Sequence, residues 1–348
     1  MMIFLLCRLV AVGSDQTPSA NEVERPVIGP PGEKDLGRII RLERENAVVE
    51  FQGQSEVIKS MVQSGILSLT KSDSLKSGWE KIAAPGERVG VFIAPDGWSD
   101  NSTLAPIVES LIQGLQSSGI SKDQIFLWSR NPNDLSFLKS ELQGILDPKS
   151  FLYAVNGGYD SEQTYESPVK GTLIWSDVEF GSEEPSAGRL SYVSKLLINR
   201  FDRVIQVGSL ASDRVAGIRG HLYSLAYSGV DNFNRFLTHP AILAEAVPEI
   251  YALEPLADKT CLFITDALIG SVVGNRPGKI HYHPPVSELW ISRDPVALDA
   301  YTLKRANELR ESIGFNPFPE SAGELIYNAE LMELGQSTIP NFRIELVP

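Results

Sequence analysis

The sequence predicts an α/β fold: a layered, mostly parallel sheet flanked by helices, with a polar loop or hairpin inserted. Two observations predict it. From Arg38 onward, short apolar runs alternate with segments whose apolar residues recur at helical spacing, the rhythm of strand–helix–strand units. The block 289–301 (LWISRDPVALDAY) then reads as a strand running into a helix. Asp294 can cap free backbone N–H groups there, and Pro295 suits the first helical turn because it has no N–H to leave unpaired.

Taken along the chain, helices are expected at 56–64 and 75–82, followed by a strand at 88–94 (RVGVFIA). The helix at 103–118 has the clearest pattern. Leu104, Ile107, Val108, Leu111, Ile112 and Leu115 repeat at helical spacing, Ser102 and Thr103 open it, and Gly119 closes it. Strands at 125–128 and 151–155 enclose a helix at 135–145. The segment 156–186 is rich in glycine, serine, proline and acidic residues, so it is expected to begin as a loop with room for a hairpin. A helix at 190–199, strands at 203–207 (RVIQV), 261–265 (CLFIT) and 289–292, and a helix at 320–334 complete the reading. No fixed-period repeat is present, and residues 35–348 are expected to form a single α/β domain.

Composition narrows the class of function. The 348 residues are 43% hydrophobic and 22% charged, enough for a substantial core. A formal charge of −13 argues against nucleic acid or an anionic membrane surface as the main partner, since both reward basic patches. A small polar molecule is the expected partner. The two cysteines, Cys7 and Cys261, stand far apart, which gives neither an iron–sulfur ligand set nor a zinc ribbon nor a disulfide framework. Any metal site would use oxygen and histidine, so a divalent cation is the metal to consider. No dinucleotide glycine pattern, Walker loop or serine-hydrolase elbow occurs, which leaves a nucleotide cofactor unsupported. Residues 1–14 are apolar but interrupted by Arg8, and 14–34 are polar with prolines. Residues 1–34 are read as a flexible N-terminus and a remnant of an export signal, favouring a periplasmic or extracellular protein over a cytoplasmic one. No other apolar run approaches the roughly 18 residues of a membrane span.

In open α/β sheets ligands bind at the carboxyl ends of strands, so polar residues just after each apolar run are the candidates. They are Asp96, Trp98, Asp100 and Asn101; Ser209, Ser212, Asp213 and Arg214; Asp266; and Arg293 with Asp294. Each alone has a plain structural explanation, because strand-end loops are polar and aspartate caps helices. Convergence would change that. Asp213, Asp266, Asp294 and Asp299 meeting in one cleft would make a hard-cation site or an acid/base pair. Asp299 shares its helix face with Val296 and Leu303, and a carboxylate on an apolar face needs a partner. Of the histidines, His281 and His283 are spaced to share one face of an extended segment but lack a third metal ligand. His221 follows Gly217-Ile-Arg-Gly220, which could bring backbone near an anion beside Arg219.

The runs Tyr192-Val-Ser-Lys195, 201–207 (FDRVIQV), 215–225 (VAGIRGHLYSL) and Asp294-Pro-Val-Ala-Leu-Asp299 resemble the bacterial domain of unknown function 362 family. Residues 79–94 and 231–240 (DNFNRFLTHP) agree, so the similarity spans about 55–312. The resemblance implies an α/β fold and a site at the strand ends, with no settled reaction. The departures matter as much. Phe92 and Ala94 stand where the family places a lysine and a polar residue, Ala211, Ser212 and Asp213 stand at a Lys-x-His-like turn, and Tyr223 and Ser224 replace a Lys-Asn pair. Three lysines that would grip an anion are missing, while Asp266, Asp294, Asp299 and His239 remain. Arg214, Arg219 and Arg235 could compensate from shifted positions. The expectation is a small-ligand-binding protein with an altered or inactive family site, using Arg214, His221, Arg235, His239 and Asp294. The alternative is an enzyme whose Asp213, Asp266 and Asp299, with His239, perform metal or acid/base chemistry on a small polar substrate.

Overall fold

Val91 and Phe92 are neighbours in one strand, point to opposite faces of a sheet, and are both fully buried. That pattern makes this a sheet covered by helices on both sides. The computed structural model describes residues 36–94, 101–172, 187–274, 283–338 and 342–347. In chain order the elements are β1 (Arg38–Glu43), β2 (Val48–Val49), β3 (Gln52–Gly53), α1 (Ser55–Thr70), α2 (Leu75–Glu80), β4 (Val89–Ile93) and α3 (Asn101–Ser117). Then come β5 (Ile125–Ser129), α4 (Ser136–Glu141), β6 (Phe151–Tyr153), α5 (Ala154–Gly157), β7 (Tyr159–Thr172), β8 (Ala187–Ser194), β9 (Arg203–Asp213) and β10 (Gly217–Ile218). The chain continues through α6 (His221–Gly229), α7 (Pro240–Tyr251), α8 (Glu254–Ala257), β11 (Thr260–Ser271), β12 (Pro285–Ser292), α9 (Pro295–Ser312), α10 (Glu324–Leu331) and β13 (Arg343–Val347).

The main sheet runs β13-β1-β12-β11-β9-β4-β5-β6, with β10 paired to β9 outside that path. Strands β11, β9, β4, β5 and β6 are mutually parallel, and β12 runs against β11. The layered, mostly parallel α/β architecture is therefore present. One face, carrying Leu42, Val91, Leu127, Ile205, Ile264 and Ile291, packs under α1 to α4. The other carries Phe92, Trp128, Val204, Phe263 and Trp290 and packs under α6, α7, α9 and α10. Fully burying each such side chain contributes about 1.5–3 kcal/mol.

The structure departs from the sequence reading in three places that matter. Residues 190–199 do not form a helix. Leu190, Val193, Leu196 and Leu197 fit helical spacing, yet β8 occupies 187–194 and only 196–200 coil into a π-type turn. The reason is tertiary: β8 pairs antiparallel with β7, giving the 156–186 segment its hairpin partner. Second, β9 and β11 extend well beyond the apolar runs, to Asp213 and Ser271. Third, because β12 is antiparallel to β11, with Ser292 opposite Phe263, Arg293 and Asp294 stand at the amino-terminal edge of the parallel strands. They are not on the strand-end side where a ligand site was expected.

Candidate functional site

The pairing of β9 with β11 slips where Asp266 and Ser271 stand opposite Ser209 and Ala211. Beyond the slip, Ser212 and Asp213 pair with Ile218 and Gly217 of β10. Asp213 makes the turn. Its Oδ1 accepts the N–H groups of Val215 and Ala216 at 2.8 and 3.0 Å, and its Oδ2 accepts from Nε of Arg219 at 3.3 Å. A short carboxylate that binds backbone two and three residues on is a standard way to reverse a chain. Gly217 is required there on two counts. Its φ is +82°, and an added Cβ would sit 2.6 Å from Cβ of Ala322.

This turn forms one wall of a cavity of about 550 Å³. Pro240 at the start of α7, Gly274 beyond β11, Arg310 in the last turn of α9, and Phe318, Ser321 and Ala322 before α10 form the rest. Among the described residues three arginines line it, Arg214, Arg219 and Arg310, against one carboxylate residue, Asp213. Arg310 is fixed in place: Nε donates to the carbonyl of Asn316 at 2.8 Å and Nη1 to that of Val272 at 2.7 Å, while the guanidinium lies 4.2 Å from the Phe318 ring centroid. All its partners among the described residues are neutral or aromatic, and burial lowers its pKa from the ordinary arginine value. Arg214 is exposed and makes no ion pair or hydrogen bond among the described residues. The cavity thus has more cationic groups than anionic ones, on a chain of formal charge −13.

The structure brings Ser212, Asp213 and Arg214 together at the cavity, with Arg219 and beside Pro240, while Asp266, Asp294, Asp299, His221, Arg235 and His239 do not line it. Asp299 is buried, and its Oδ1 and Oδ2 accept the N–H groups of His221 and Leu222 at 2.6 and 3.0 Å. The partner it needed is the amino end of α6, where the helix dipole favours a negative charge. Gly220 leaves room for it, since a Cβ there would lie 2.4 Å from the carboxyl carbon. Burial outweighs these hydrogen bonds and raises the Asp299 pKa to about 7. Asp299 borders a separate small void that shares Ala322 with the larger cavity. Asp294 caps α9 through Ala297 N–H at 2.9 Å and also accepts the N–H groups of Gly37 and Gln336 at 2.8 and 3.0 Å. Burial raises its pKa as well, with those three N–H groups acting in the opposite direction. Both Asp294 oxygens thus serve backbone N–H groups.

Asp266 is buried at the β11 irregularity, where Oδ2 accepts from Thr103 Oγ1 at 2.6 Å and Oδ1 from Leu268 N–H at 3.0 Å. His221 is buried, with Nε2 against Thr265 Oγ1 at 2.9 Å, and desolvation lowers its pKa to about 3, so it is neutral. Arg235 is buried too. It donates to the carbonyls of Ser167 and Val169 and to Ser191 Oγ at 2.9 Å, and so clamps β7 to β8. His239 is exposed, and its Nδ1 accepts from Ala241 N–H at 3.2 Å as the cap of α7. Residues 1–34, Asp96, Trp98, Asp100, His281 and part of the 156–186 segment lie outside the described residues. Among the described residues no group of three or more histidine, cysteine, aspartate or glutamate side chains is placed to hold a metal ion, and no helix is long and apolar enough to cross a membrane.

Sequence reasoning missed Arg310 and Phe318. An arginine in the last turn of a helix ordinarily reads as a dipole partner, and the aromatic after it as packing. Only the return of the 315–323 segment over β10 brings both beside Asp213.

Comparison with protein-family models gave no match, and comparison with curated proteins gave none. Among solved structures, the chain is similar to a structural genomics crystal structure of a protein from Thermotoga maritima, at 14% identity and a TM-score of 0.43. The similarity covers 75% of this chain and 59% of that one, so the chain spans less than two thirds of that protein's length.

Proposed function

We propose that this chain is a small-ligand-binding α/β protein, a divergent relative of the domain of unknown function 362 family, whose ligand is an anion held in the cavity at the carboxyl end of β9. One observation carries the reading: among the described residues Arg214, Arg219 and Arg310 line one cavity against one carboxylate residue, Asp213. Pockets of roughly 300–1,000 Å³ accommodate metabolite-sized molecules, and this cavity of about 550 Å³ falls within that range. Arginine suits the task because its planar fork matches an oxyanion and never loses its charge. The position fits as well, at the carboxyl end of a parallel strand. On this reading Arg214, Arg219 and Arg310 supply the positive charge that the missing lysines would otherwise bring.

The enzymatic alternative requires Asp213, Asp266 and Asp299 to act on one substrate. Asp299 spends both oxygens on α6 and borders a different void, and Asp266 does not line the cavity. Binding without catalysis is therefore the reading that the geometry supports best. The test is a thermal-shift panel on the full chain with small organic anions, cations and neutral compounds. Anions are expected to raise the midpoint, and Arg310→Gln to reduce the rise. Equal shifts from cations and anions would overturn the reading.

A further inference from the structure

The same cavity narrows the chemistry of its ligand, on the reading that it binds an anion. Sites that cradle phosphate offer several convergent backbone N–H groups. Here five of the backbone N–H groups around the turn are committed. Those of Val215 and Ala216 go to Asp213, that of Arg219 to the carbonyl of Ala211, that of Gly274 to Ser212 Oγ, and that of Ala322 to the carbonyl of Pro319. The charged donors of the wall are side-chain guanidiniums, each a planar fork matched to a planar carboxylate. The Asp213 carboxylate at the same wall disfavours a doubly charged guest.

Apart from Ser212 and Ser321, the uncharged side chains of the wall are apolar. Phe318, Pro319, Pro240, Val215 and Ala322 supply flat or aliphatic surface, and the Phe318 ring lies under the Arg310 guanidinium. A small inorganic anion would leave most of a cavity of about 550 Å³ unfilled. A ring set against Phe318 with an acid group directed at Arg310 and Arg214 would use both kinds of wall. We infer that the cavity at the end of β9 binds an organic monocarboxylate bearing an apolar, aromatic-sized body, with the guanidiniums of Arg214 and Arg310 on the carboxylate and Phe318 against the body.

Isothermal titration of the full chain with phenylacetate, acetate, phenyl phosphate, inorganic phosphate and benzyl alcohol tests this. Phenylacetate is expected to bind most tightly. Loss of a charge-assisted hydrogen bond predicts about tenfold weaker phenylacetate binding in Arg310→Gln, and about threefold weaker in the exposed Arg214→Ala. Phe318→Ala is expected to erase the preference for phenylacetate over acetate. The Arg214→Ala variant guards against misfolding, because that side chain makes no hydrogen bond or ion pair among the described residues. Phenyl phosphate or inorganic phosphate binding more tightly than phenylacetate would overturn the carboxylate assignment while leaving an anion site. Benzyl alcohol binding as tightly as phenylacetate, or no probe binding at all, would overturn the assignment and the anion reading together.

Discussion

Asp213 and Asp299 are both aspartates that bind two successive backbone N–H groups, yet they do opposite things to the charge around them. Asp213 serves its own turn and faces a cavity in which guanidinium groups outnumber it. Asp299 reaches across 78 residues of sequence to cap α6, in a core where no cation among the described residues shifts its pKa. The first leaves electrostatic attraction over for a guest. The second uses the carboxylate up in holding two helices together. A carboxylate on two successive N–H groups therefore stands at a cavity wall in one region, through one oxygen, and as a structural clamp in the other, through both.

Breaking the clamp should have the largest effect. Asp299→Ala strands the N–H groups of His221 and Leu222 in the interior, and at a desolvation cost of about 1–3 kcal/mol for each it should destabilise the fold by about 3 kcal/mol in urea unfolding. Gly220→Ala forces a methyl group against that carboxylate and should cost about 2 kcal/mol. The double variant should cost less than the two combined, because removing the carboxylate removes the clash; strict additivity would show that the two residues do not touch in solution.

Acidity gives a third measure. The folded pKa of Asp299 is held up at about 7, above the value of about 3.9 in an unfolded chain. The folded state therefore binds this proton more tightly, and the stabilisation from protonation is full below about pH 4 and lost as the pH rises through about 7. Across that window wild type should lose stability relative to Asp299→Asn, and parallel curves would count against burial as the dominant cause. The smallest change belongs to the cavity. Asp213→Asn keeps an oxygen for Val215 and Ala216 but removes the charge facing Arg219, so stability should shift by about 1 kcal/mol or less. Phenylacetate affinity measured by titration should rise about threefold, the size expected from removing one partly screened like charge.

The parallel strands were legible because their apolar runs are short, strong and bounded by polar turns, as in 88–94 and 125–128. Asp294 was legible as a cap, since Asp-Pro is a local signal. The role of Asp299 was not. Its depth could be read from the helix face, but its partner lies in α6, which no local pattern ties to α9. β1 and β13 escaped notice because Arg38-Ile-Ile-Arg-Leu-Glu43 and Arg343-Ile-Glu-Leu-Val347 mix charge with apolar residues. Arg38 becomes compatible with a buried strand only once Glu345 and the carbonyls of Ser68 and Leu69 receive its guanidinium. The cavity was half legible. Asp213 and Arg214 follow a strand, whereas Arg310 and Phe318 are nearly a hundred residues further on and meet them only in the finished fold.

The three-way knot at Asp294 has a consequence for how the molecule is made. One carboxylate gathers the amides of Gly37, Ala297 and Gln336, while β1 is inserted between β12 and β13. The first strand of the main sheet can therefore find neither neighbour until the ribosome has delivered almost all of the later chain. Such distant pairings are slow to form, and β1 must wait unpaired while the central strands assemble. Early residues are the last to be locked, so a ribosome stalled before β12 would display a core without its border.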